Sequence, residues 1–442
     1  MILRAKATAD FTAELNIDRR SPFKGLCAQL IEPSGYPCTE HTAFALCLDR
    51  GIWKERRGKG KEGKIQTKDG YLLGLQRVSS RIGNLRAQRG HPVLLQHGLF
   101  LAGDAWFLDS TDQSLGFILA DHGFDVWVGN VRGTRWSHGH TSLSEKDKDF
   151  WDWSWEELAL YDLAEMIRYV NLKTNSKIFV VGHSQVCSLL AAYLLLPVLT
   201  CGFGPSILYA YLLNLQGTIM SLAAFTQPDI VKMVEAAALL CPISYLEHIS
   251  ARFVLRIVSL HLDQVIVAMG IHQLNFKSDV GTYILDSICD EHLDCNDLLT
   301  SITGKNCCFN NSRVDFYLEY EPHPSSSKNL NHLFQMIRKG TFAKYDYGMW
   351  KNLKKYGQLK PPKFDLSRIP KSLPLWMGYG GNDALADVTD VQHTLKELQS
   401  KPKLLYLENY GHLDFLLSVK GKEDVFDTMI EFFSSWGMSS SI

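Results

Sequence analysis

The sequence predicts an α/β protein, built on a mainly parallel sheet flanked by helices, with a helical insertion before the last strands. From residue 65 onward, short apolar runs alternate with amphipathic stretches, which is the pattern of parallel strands joined by helices. Several runs end in turn-forming residues, as strands of an open sheet do. Residues 247–368 break the alternation, because their pattern is helical and irregular.

The first part of the predicted core contains two strands, a helix and a third strand. The run at 93–96 ends in His-Gly, and the run at 124–128 ends in Gly-Asn. Residues 155–170 place apolar side chains at helical spacing. The strand predicted at 178–181 leads to Ser184, so a candidate nucleophile stands at the carboxyl end of a strand.

Later segments complete the sheet around the insertion, with runs at 235–241, 373–379 and 404–407. We call residues 247–368 the cap segment, since a helical block between strands is typical of a cap over a site. Its large apolar residues include Met269, Phe276, Phe334, Met336, Met349 and Trp350. Taken one at a time, the Met and Phe residues of this set are more typical of ordinary helical core.

The predicted organisation has an N-terminal segment at 1–64, a core formed by 65–246 and 369–442, and the cap segment. A chain of 442 residues accommodates one domain with a large insertion or two domains. Residues 43–64 end in a run of charged residues and glycines with no periodic apolar face, which predicts a solvated loop or disorder. Binding of anions or membranes is the weaker alternative, because glutamates interrupt the basic run.

Composition limits the classes of partner. Hydrophobic residues at 46% and charged residues at 21% are typical of a globular protein. A formal net charge of −1 and a pI near 6.9 provide no electrostatic reason to expect binding to nucleic acid.

The motif around Ser184 is interrupted. Residues 182–185 read Gly-His-Ser-Gln, and a nucleophile elbow of the form Gly-x-Ser-x-Gly requires a glycine next. Val186 stands there instead and opens a segment without charged residues or histidine. Joining the glutamine of the motif to Gly217 restores the elbow and a helix of small residues behind it. The 31 residues from 186 to 216 (216 − 185) are therefore interpreted as an insertion, which we expect to strain the turn and displace that helix.

The ends of the insertion suggest its origin. The Val-Cys pair that opens it is encoded by GTN-TGY, and Gln216 can be encoded by CAG, so the segment can carry the GT and AG dinucleotides that bound an intron. We interpret it as a retained intron that lacks a stop codon. The alternative is a genuine apolar loop or membrane hairpin. Its longest run before Pro197 is short of the ~18 to 20 residues that a spanning helix needs.

The evidence on the compartment conflicts. Residues 1–20 carry charges that leave no continuous apolar stretch, so no secretory signal is visible. Asn310 begins a glycosylation sequon, although sequons also arise by chance. A cluster of cysteines is more usual in oxidising compartments; it comprises Cys289, Cys295, Cys307 and Cys308. A truncated or misassigned first exon reconciles these observations.

Three positions after predicted strands match a catalytic triad. A serine hydroxyl becomes a good nucleophile when a histidine removes its proton, and that histidine needs an acid to hold its tautomer. Ser184, Asp383 and His412 follow strands in the chain order of α/β-hydrolases. Asp387 and Asp390 remain alternative acids.

Two backbone amides are candidates for an oxyanion hole. The His-Gly-Leu motif at 97–99 presents the Leu99 amide, and Gln185, the residue after the nucleophile, presents the second. A lone His-Gly pair is usually a turn, but the joint occurrence of these motifs at strand ends predicts an acyl-transfer site.

These motifs carry a specific family resemblance. The chain resembles the plant triacylglycerol lipases of the gastric and lysosomal acid lipase family over residues 24–42, 65–185 and 217 to about 435. The matching motifs are Cys-Ala-Gln-Leu-Ile at 27–31, Thr-Lys-Asp-Gly-Tyr at 67–71, His-Gly-Leu at 97–99, Gly-Asn-Val-Arg-Gly at 129–133, Gly-Gly-Asn-Asp at 380–383 and Gly-His-Leu-Asp-Phe at 411–415. The missing signal and the segments 43–64 and 186–216 depart from the family pattern.

The resemblance implies an α/β-hydrolase core with a lid-bearing cap, and a secreted, endomembrane or vacuolar protein. It implies hydrolysis of neutral lipid esters without a cofactor or metal ion. It assigns Ser184, Asp383 and His412 to the triad and the amides of Leu99 and Gln185 to the oxyanion hole. The implied partners are a lipid ester and the lipid–water interface, with no nucleic acid and no obligatory protein partner.

Two other functions fit the same sequence. With the insertion taken at face value, the chain is a catalytically impaired relative that still binds lipid. An acyltransferase uses the same triad, because water access and pocket shape choose the acceptor.

Overall fold

One large β-sheet forms the centre of the molecule in a computed structural model, which describes residues 25–41, 45–48, 52–55, 65–81, 90–184, 217–275, 298–308 and 310–437. The strands are β1 Cys38–His41, β2 Ala45–Leu48, β3 Ile52–Glu55, β4 Ile65–Gln66, β5 Tyr71–Val78, β6 Pro92–Gln96, β7 Asp125–Asn130, β8 Gly139–His140, β9 Ile178–His183, β10 Val234–Leu240, β11 Gln273–Leu274, β12 Ser325–Ser326, β13 Leu375–Gly380 and β14 Lys403–Leu407. The large sheet has the order β1-β5-β7-β6-β9-β10-β13-β14, and β4 and β8 pair with β5 at its side.

Six neighbouring strands of this sheet run parallel, from β7 through β6, β9, β10 and β13 to β14. Strands β5 and β1 extend it in antiparallel orientation. Every residue of β6, β7 and β9 is buried, which explains why their sequences are apolar runs without alternation. The predicted mainly parallel sheet is therefore confirmed.

Helices connect and flank the strands. They are α1 Leu115–Asp121, α2 Trp155–Glu157, α3 Ala164–Thr174, α4 Gly217–Phe225, α5 Pro228–Val231, α6 Arg252–Ser259, α7 Leu262–Ala268, α8 Leu298–Thr303, α9 Val314–Tyr320, α10 Ser327–Lys339, α11 Met349–Tyr356, α12 Val388–Glu397, α13 Asp414–Leu417 and α14 Asp427–Gly437. Two π-helical stretches, Leu158–Leu163 and Lys422–Phe426, lead directly into α3 and α14.

The helix predicted at 155–170 begins as its sequence indicates. The Ser154 hydroxyl accepts the Glu156 amide, and the Glu157 carboxylate accepts the Ser154 amide, which forms a capping box. The helical run continues to Thr174 and ends at Asn175, which adopts a left-handed conformation with φ 51°. The observed helix is therefore a little longer than predicted.

The cap segment contains helices α6 to α11 and the small antiparallel pair of β11 and β12. The interpretation of its large apolar residues as core is correct for Phe334 and Met336, which are buried. It is wrong for Met269 and Met349, which are exposed, and Trp350 is exposed as well. Met349 and Trp350 begin α11, and Asn352 is the buried residue of that helix, so most of α11 does not pack on the core. Phe276 lies outside the described residues.

The interpretation of residues 43–64 as loop is wrong for part of this segment. Strands β2 and β3 pair in antiparallel orientation, from Ala45 opposite Glu55 to Leu48 opposite Ile52. Backbone hydrogen bonds between the two strands stabilise this pairing. The side-chain pattern of a charge run does not reveal them. The rest of the charge run, residues 56–64, lies outside the described residues.

Disulfides join Cys27 to Cys38 and Cys307 to Cys308. The first ties the helical turn Cys27–Ile31 to β1, at the start of the described chain. The other two clustered cysteines, at 289 and 295, lie outside the described residues. Across the described ranges, no helix combines the length and the apolar composition that crossing a bilayer demands.

Candidate active site

Ser184 follows β9 in a strained backbone conformation. Its φ of 55° lies in the left-handed region, which residues other than glycine seldom adopt. The Ser184 amide donates to the Leu240 carbonyl at the end of β10, at 2.8 Å. A sharp turn of this kind at a strand end presents a serine hydroxyl above the sheet, as in a nucleophile elbow.

The three side chains that the sequence predicts to converge form one hydrogen-bonded chain. The Ser184 hydroxyl is hydrogen-bonded to Nε2 of His412. On the other side of the ring, Nδ1 of His412 lies 2.7 Å from Oδ2 of Asp383. All three residues are buried, and they follow β9, β14 and β13 respectively. Because Nδ1 donates its proton to the carboxylate, Nε2 is the nitrogen that can accept the serine proton.

The Asp383 carboxylate is ionised and oriented by its surroundings. Its Oδ1 accepts the amides of Leu385 and Ala386, each at 2.8 Å. Burial acts to raise the pKa of Asp383, but the facing His412 and these two amides outweigh it and hold the pKa below its ordinary value. The carboxylate therefore stabilises positive charge on the His412 ring.

The carboxylates of the two alternative acids, Asp387 and Asp390, form hydrogen bonds with other residues than His412. Asp387 caps α12, where its carboxylate accepts the Thr389 amide at 2.7 Å. Asp390 lies 2.8 Å from Nδ1 of His248 and also accepts the His248 amide. Neither carboxylate contacts His412.

The loop that carries His412 is held by residues of the cap segment. The His412 amide donates to the Thr303 carbonyl at 3.1 Å, and the Leu413 amide donates to Oδ1 of Asn306 at 2.9 Å. The Asp414 carboxylate accepts the Gly411 amide at 2.8 Å and stiffens the same turn. Sequence reasoning missed Thr303 and Asn306, because they lie about a hundred positions away and belong to no motif.

The Leu99 amide is the first of the two predicted oxyanion donors. It has no acceptor within the part of the chain that the structure describes. Nε2 of His97 accepts the Val131 amide at 3.1 Å, so the ring proton resides on Nδ1, which contacts the Gly98 carbonyl at 2.7 Å. Burial lowers the pKa of His97 to about 4, so the ring is neutral at physiological pH. Gln185, the second predicted donor, lies outside the described residues.

Helix α4 occupies the position behind Ser184. All nine of its residues are buried, and it packs against β9 and against Leu158–Leu163. The Thr218 amide donates to the Ser184 carbonyl at 3.3 Å, a first-turn hydrogen bond that is expected when Gly217 directly follows the elbow glutamine. The expectation that the insertion displaces this helix is wrong. Burial of its small and apolar side chains stabilises it in place.

Within the part of the chain that the structure describes, three groups of close side chains have the composition of metal ligands. They are His183, Cys241 and His412; Cys307, Cys308 and Asp414; and Asp104, Glu321 and His323. In the first group both His412 nitrogens are engaged, with Ser184 and Asp383. In the second group the two sulfurs share a disulfide and are not thiolates. The third group is fully buried near the Leu99 loop.

Comparisons with known proteins show which family the chain resembles. Residues 59–110 match the family model described as the partial α/β-hydrolase lipase region, and residues 91–199 match the α/β-hydrolase fold. The chain is 59% identical to triacylglycerol lipase 1 of Arabidopsis thaliana, over 95% of this chain and 93% of that protein.

Two further relatives extend the similarity. Identity with triacylglycerol lipase 2 of Arabidopsis thaliana is 35%, over 94% of this chain and 89% of that protein. Identity with gastric triacylglycerol lipase of Bos taurus is 30%, over 83% of this chain and 86% of that protein. This chain therefore belongs to the gastric and lysosomal acid lipase family of α/β-hydrolases, and it is a carboxylic ester hydrolase.

Proposed function

We propose that this chain hydrolyses triacylglycerol-type ester bonds through a triad of Ser184, His412 and Asp383. The observation that carries the proposal is the His412 ring, which bonds the serine hydroxyl on one side and the buried carboxylate on the other. The names of its relatives supply the substrate class, since two of them are triacylglycerol lipases that match nearly the whole chain.

The reaction follows from the roles of these groups. Nε2 of His412 takes the proton of Ser184 as Oγ attacks the ester carbonyl, and Asp383 stabilises the charged ring. The Leu99 amide, together with the Gln185 amide, stabilises the oxyanion of the tetrahedral intermediate. The alcohol leaves with a proton from His412, and an acyl-serine remains. Water then attacks the acyl group with His412 as general base, which releases the fatty acid and restores the serine.

The lipid–water interface is the proposed partner surface. The side chains of Ser184 and His412 are fully buried, so an ester reaches them only after part of their cover moves. Helices α6 and α7 of the cap segment, with the residues that follow them, expose several large apolar side chains. These are Leu255, Leu260, Val265, Val267 and Met269. We place the contact with lipid at this part of the cap segment, because exposed apolar side chains are stabilised when lipid covers them.

The insertion at 186–216 determines the activity of the chain as written. We propose that Gly217 is the second glycine of the elbow and that the insertion is a retained intron. The Ser184–Thr218 hydrogen bond supports this, since it brings the two ends of the insertion together. In sequence, the β-branched Val186 stands where the motif has a glycine, so the turn at Ser184 has to accommodate an insertion between Gln185 and Gly217. The full chain should therefore show little or no esterase activity.

The test compares the full chain with a variant that lacks residues 186–216. The deletion variant should hydrolyse p-nitrophenyl butyrate and tributyrin, and Ser184→Ala in that background should abolish turnover. Equal activity of the full chain and the deletion variant would show that the insertion is tolerated.

The same assay separates the alternatives. Binding of triolein without turnover in either background would indicate a lipid-binding relative. Transfer of the acyl group to an added alcohol, faster than hydrolysis, would indicate an acyltransferase. Sequencing the transcript across the Gln185 codon tests the intron directly.

We also propose entry into the secretory pathway. The Cys27–Cys38 disulfide and the Asn310 sequon support it. Expressed behind a signal peptide, the secreted product should lose mass on glycosidase treatment, and Asn310→Gln should remove part of this shift. A secreted product with free Cys27 and Cys38 thiols and no mass shift on glycosidase treatment would contradict it.

A further inference from the structure

Residues 321–323 of the cap segment are hydrogen-bonded to the loop that carries Leu99. The His323 amide donates to the Phe100 carbonyl at 2.7 Å. The Glu321 carboxylate accepts the Ala102 amide at 3.2 Å. Nε2 of His323 lies 3.0 Å from Oδ2 of Asp104. The cap segment thus contacts this loop at three successive places.

The His323 ring has a defined proton position. Its Nδ1 accepts the Arg135 amide at 3.1 Å, so the ring proton is on Nε2 and is donated to Asp104. The Trp136 indole donates to the same carboxylate oxygen at 3.0 Å. A protonated Nε2 has no lone pair for a metal ion, so the cluster is a hydrogen-bonded network rather than a metal site.

This network is deeply buried and charged. The side chains of Asp104, Glu321 and His323 are each 0 to 1% exposed. Burial acts to raise the pKa of Asp104, but the His323 ring and the Trp136 indole outweigh it and hold the pKa well below its ordinary value. A buried carboxylate with several donors is rigid, because moving any donor leaves an unpaired buried charge.

The loop that the network holds is itself strained. Phe100 adopts φ 57°, a conformation that non-glycine residues keep only where the surroundings impose it. The Gly98 carbonyl, which belongs to the same peptide unit as the Leu99 amide, is fixed by His97. Because a trans peptide directs its N–H opposite to its carbonyl, fixing Gly98 on one side and Phe100 on the other sets the direction of the Leu99 amide.

We propose that Asp104, Glu321 and His323 are positioning residues for the oxyanion hole. Through these residues, the cap segment fixes the direction of the Leu99 amide. This rests on the proposed hydrolase function. Asp104 and the cap residues touch no reacting atom and act through the loop 98–104. Loss of the network should therefore slow acylation and leave binding of a small ester nearly unchanged.

The test uses three histidine variants in whichever background, full chain or deletion variant, hydrolyses p-nitrophenyl butyrate. His323→Asn removes the donor to Asp104 and should lower kcat by about 10- to 100-fold, below the loss for a deleted oxyanion donor. KM should change by less than about 3-fold. In His323→Gln, the longer amide reaches Asp104 from the Nε2 position, so kcat should recover most of this loss.

His332→Asn is the matched control, because His332 is an equally buried cap histidine that bonds the Ala343 carbonyl, away from the loop. Burst titration counts active sites, so that kcat refers to folded enzyme only. His332→Asn should lower the melting temperature without lowering kcat per active site.

If His323→Asn fails to fold, Trp136→Phe removes one donor to Asp104 and keeps an aromatic ring there, and kcat should fall about 3- to 10-fold. An unchanged kcat in whichever of these variants folds, in an active background, overturns the positioning role alone. Inactivity of both backgrounds overturns the proposed hydrolase and this inference with it.

Discussion

At the scale of single residues, the site depends on a few residues whose backbone conformation or buried charge is unfavourable by itself. Ser184 holds a strained φ, and Asp383 keeps a charge in the interior. Both are stable because neighbours compensate them: the Leu240 carbonyl accepts the Ser184 amide, and the Leu385 and Ala386 amides bind the carboxylate. Strain and buried charge of this kind concentrate where chemistry requires them.

We expect Asp383→Asn to lower kcat on the order of 10⁴-fold, because an amide favours the wrong His412 tautomer. Asp387→Asn is the control, since it alters a nearby helix cap and touches no triad residue. An Asp383→Asn variant as active as Asp387→Asn would remove Asp383 from the triad.

The depressed pKa of Asp383 predicts a pH dependence of stability. The folded-state pKa of Asp383 is depressed below its ordinary 3.8, so its ionised form stabilises the folded state above that pH. This contribution is lost as the pH falls through the folded-state pKa. Urea unfolding should therefore show a difference between the wild type and Asp383→Asn at pH 7 that shrinks below about pH 4. A difference that grows on acidification would contradict the assignment of a depressed pKa.

At the scale of elements, α4 shows how one glycine joins a helix to the site. A Cβ added to Gly217 would lie 2.3 Å from the Gln96 carbonyl oxygen and 2.7 Å from the His183 amide nitrogen. Both are backbone atoms at the ends of β6 and β9, so the strands or the helix would have to move. The helix reaches its place behind Ser184 only because this position has no side chain.

Gly217→Ala in the deletion variant should lower the free energy of unfolding by about 1 to 3 kcal/mol and reduce kcat by at least ~10-fold, since the shift reaches the nucleophile. Gly421→Ala is the control, because the nearest atom to its added Cβ is a Phe426 side-chain carbon at 3.2 Å. Chemical unfolding and p-nitrophenyl butyrate kinetics measure both effects. Equal behaviour of the two variants would mean that Gly217 is not an elbow glycine.

At the scale of the whole molecule, α11 forms a second apolar surface of the cap segment. Trp350 is 78% exposed, with Met349 and Leu353 also exposed beside it. Lysines 351, 354 and 355 are exposed on the same helix. A tryptophan among lysines is typical of a helix that lies at a lipid surface.

Trp350→Ser should lower the rate on a triolein emulsion by about 3- to 10-fold and leave hydrolysis of a soluble ester unchanged, because it weakens adsorption only. Leu172→Ser is the control, as Leu172 is 79% exposed on α3. Both variants are measured in the active background. An equal loss in the two variants would show that α11 has no special role at the interface.

The sequence by itself determined the parallel core and the convergence of Ser184, Asp383 and His412. Strands such as β6 and β9 are buried on both faces, so their apolar runs predict buried strands from the sequence alone. The proximity of Ser184, Asp383 and His412 could be predicted for a related reason. Each stands in a short motif just after a strand, and the carboxyl ends of parallel strands meet at one edge of the sheet.

The tertiary structure decided what depends on pairing between distant segments. Three such contacts leave no local pattern in the sequence. They are the pairing of β2 with β3, the hydrogen bond from His412 to Thr303, and the contacts of His323 with the loop at 98–104. The place of α4 behind Ser184 was also decided there, against the expectation from the chain as written. Local sequence encodes the periodicity of burial, whereas these contacts arise between residues far apart along the chain, whose free energies appear only when the core is packed.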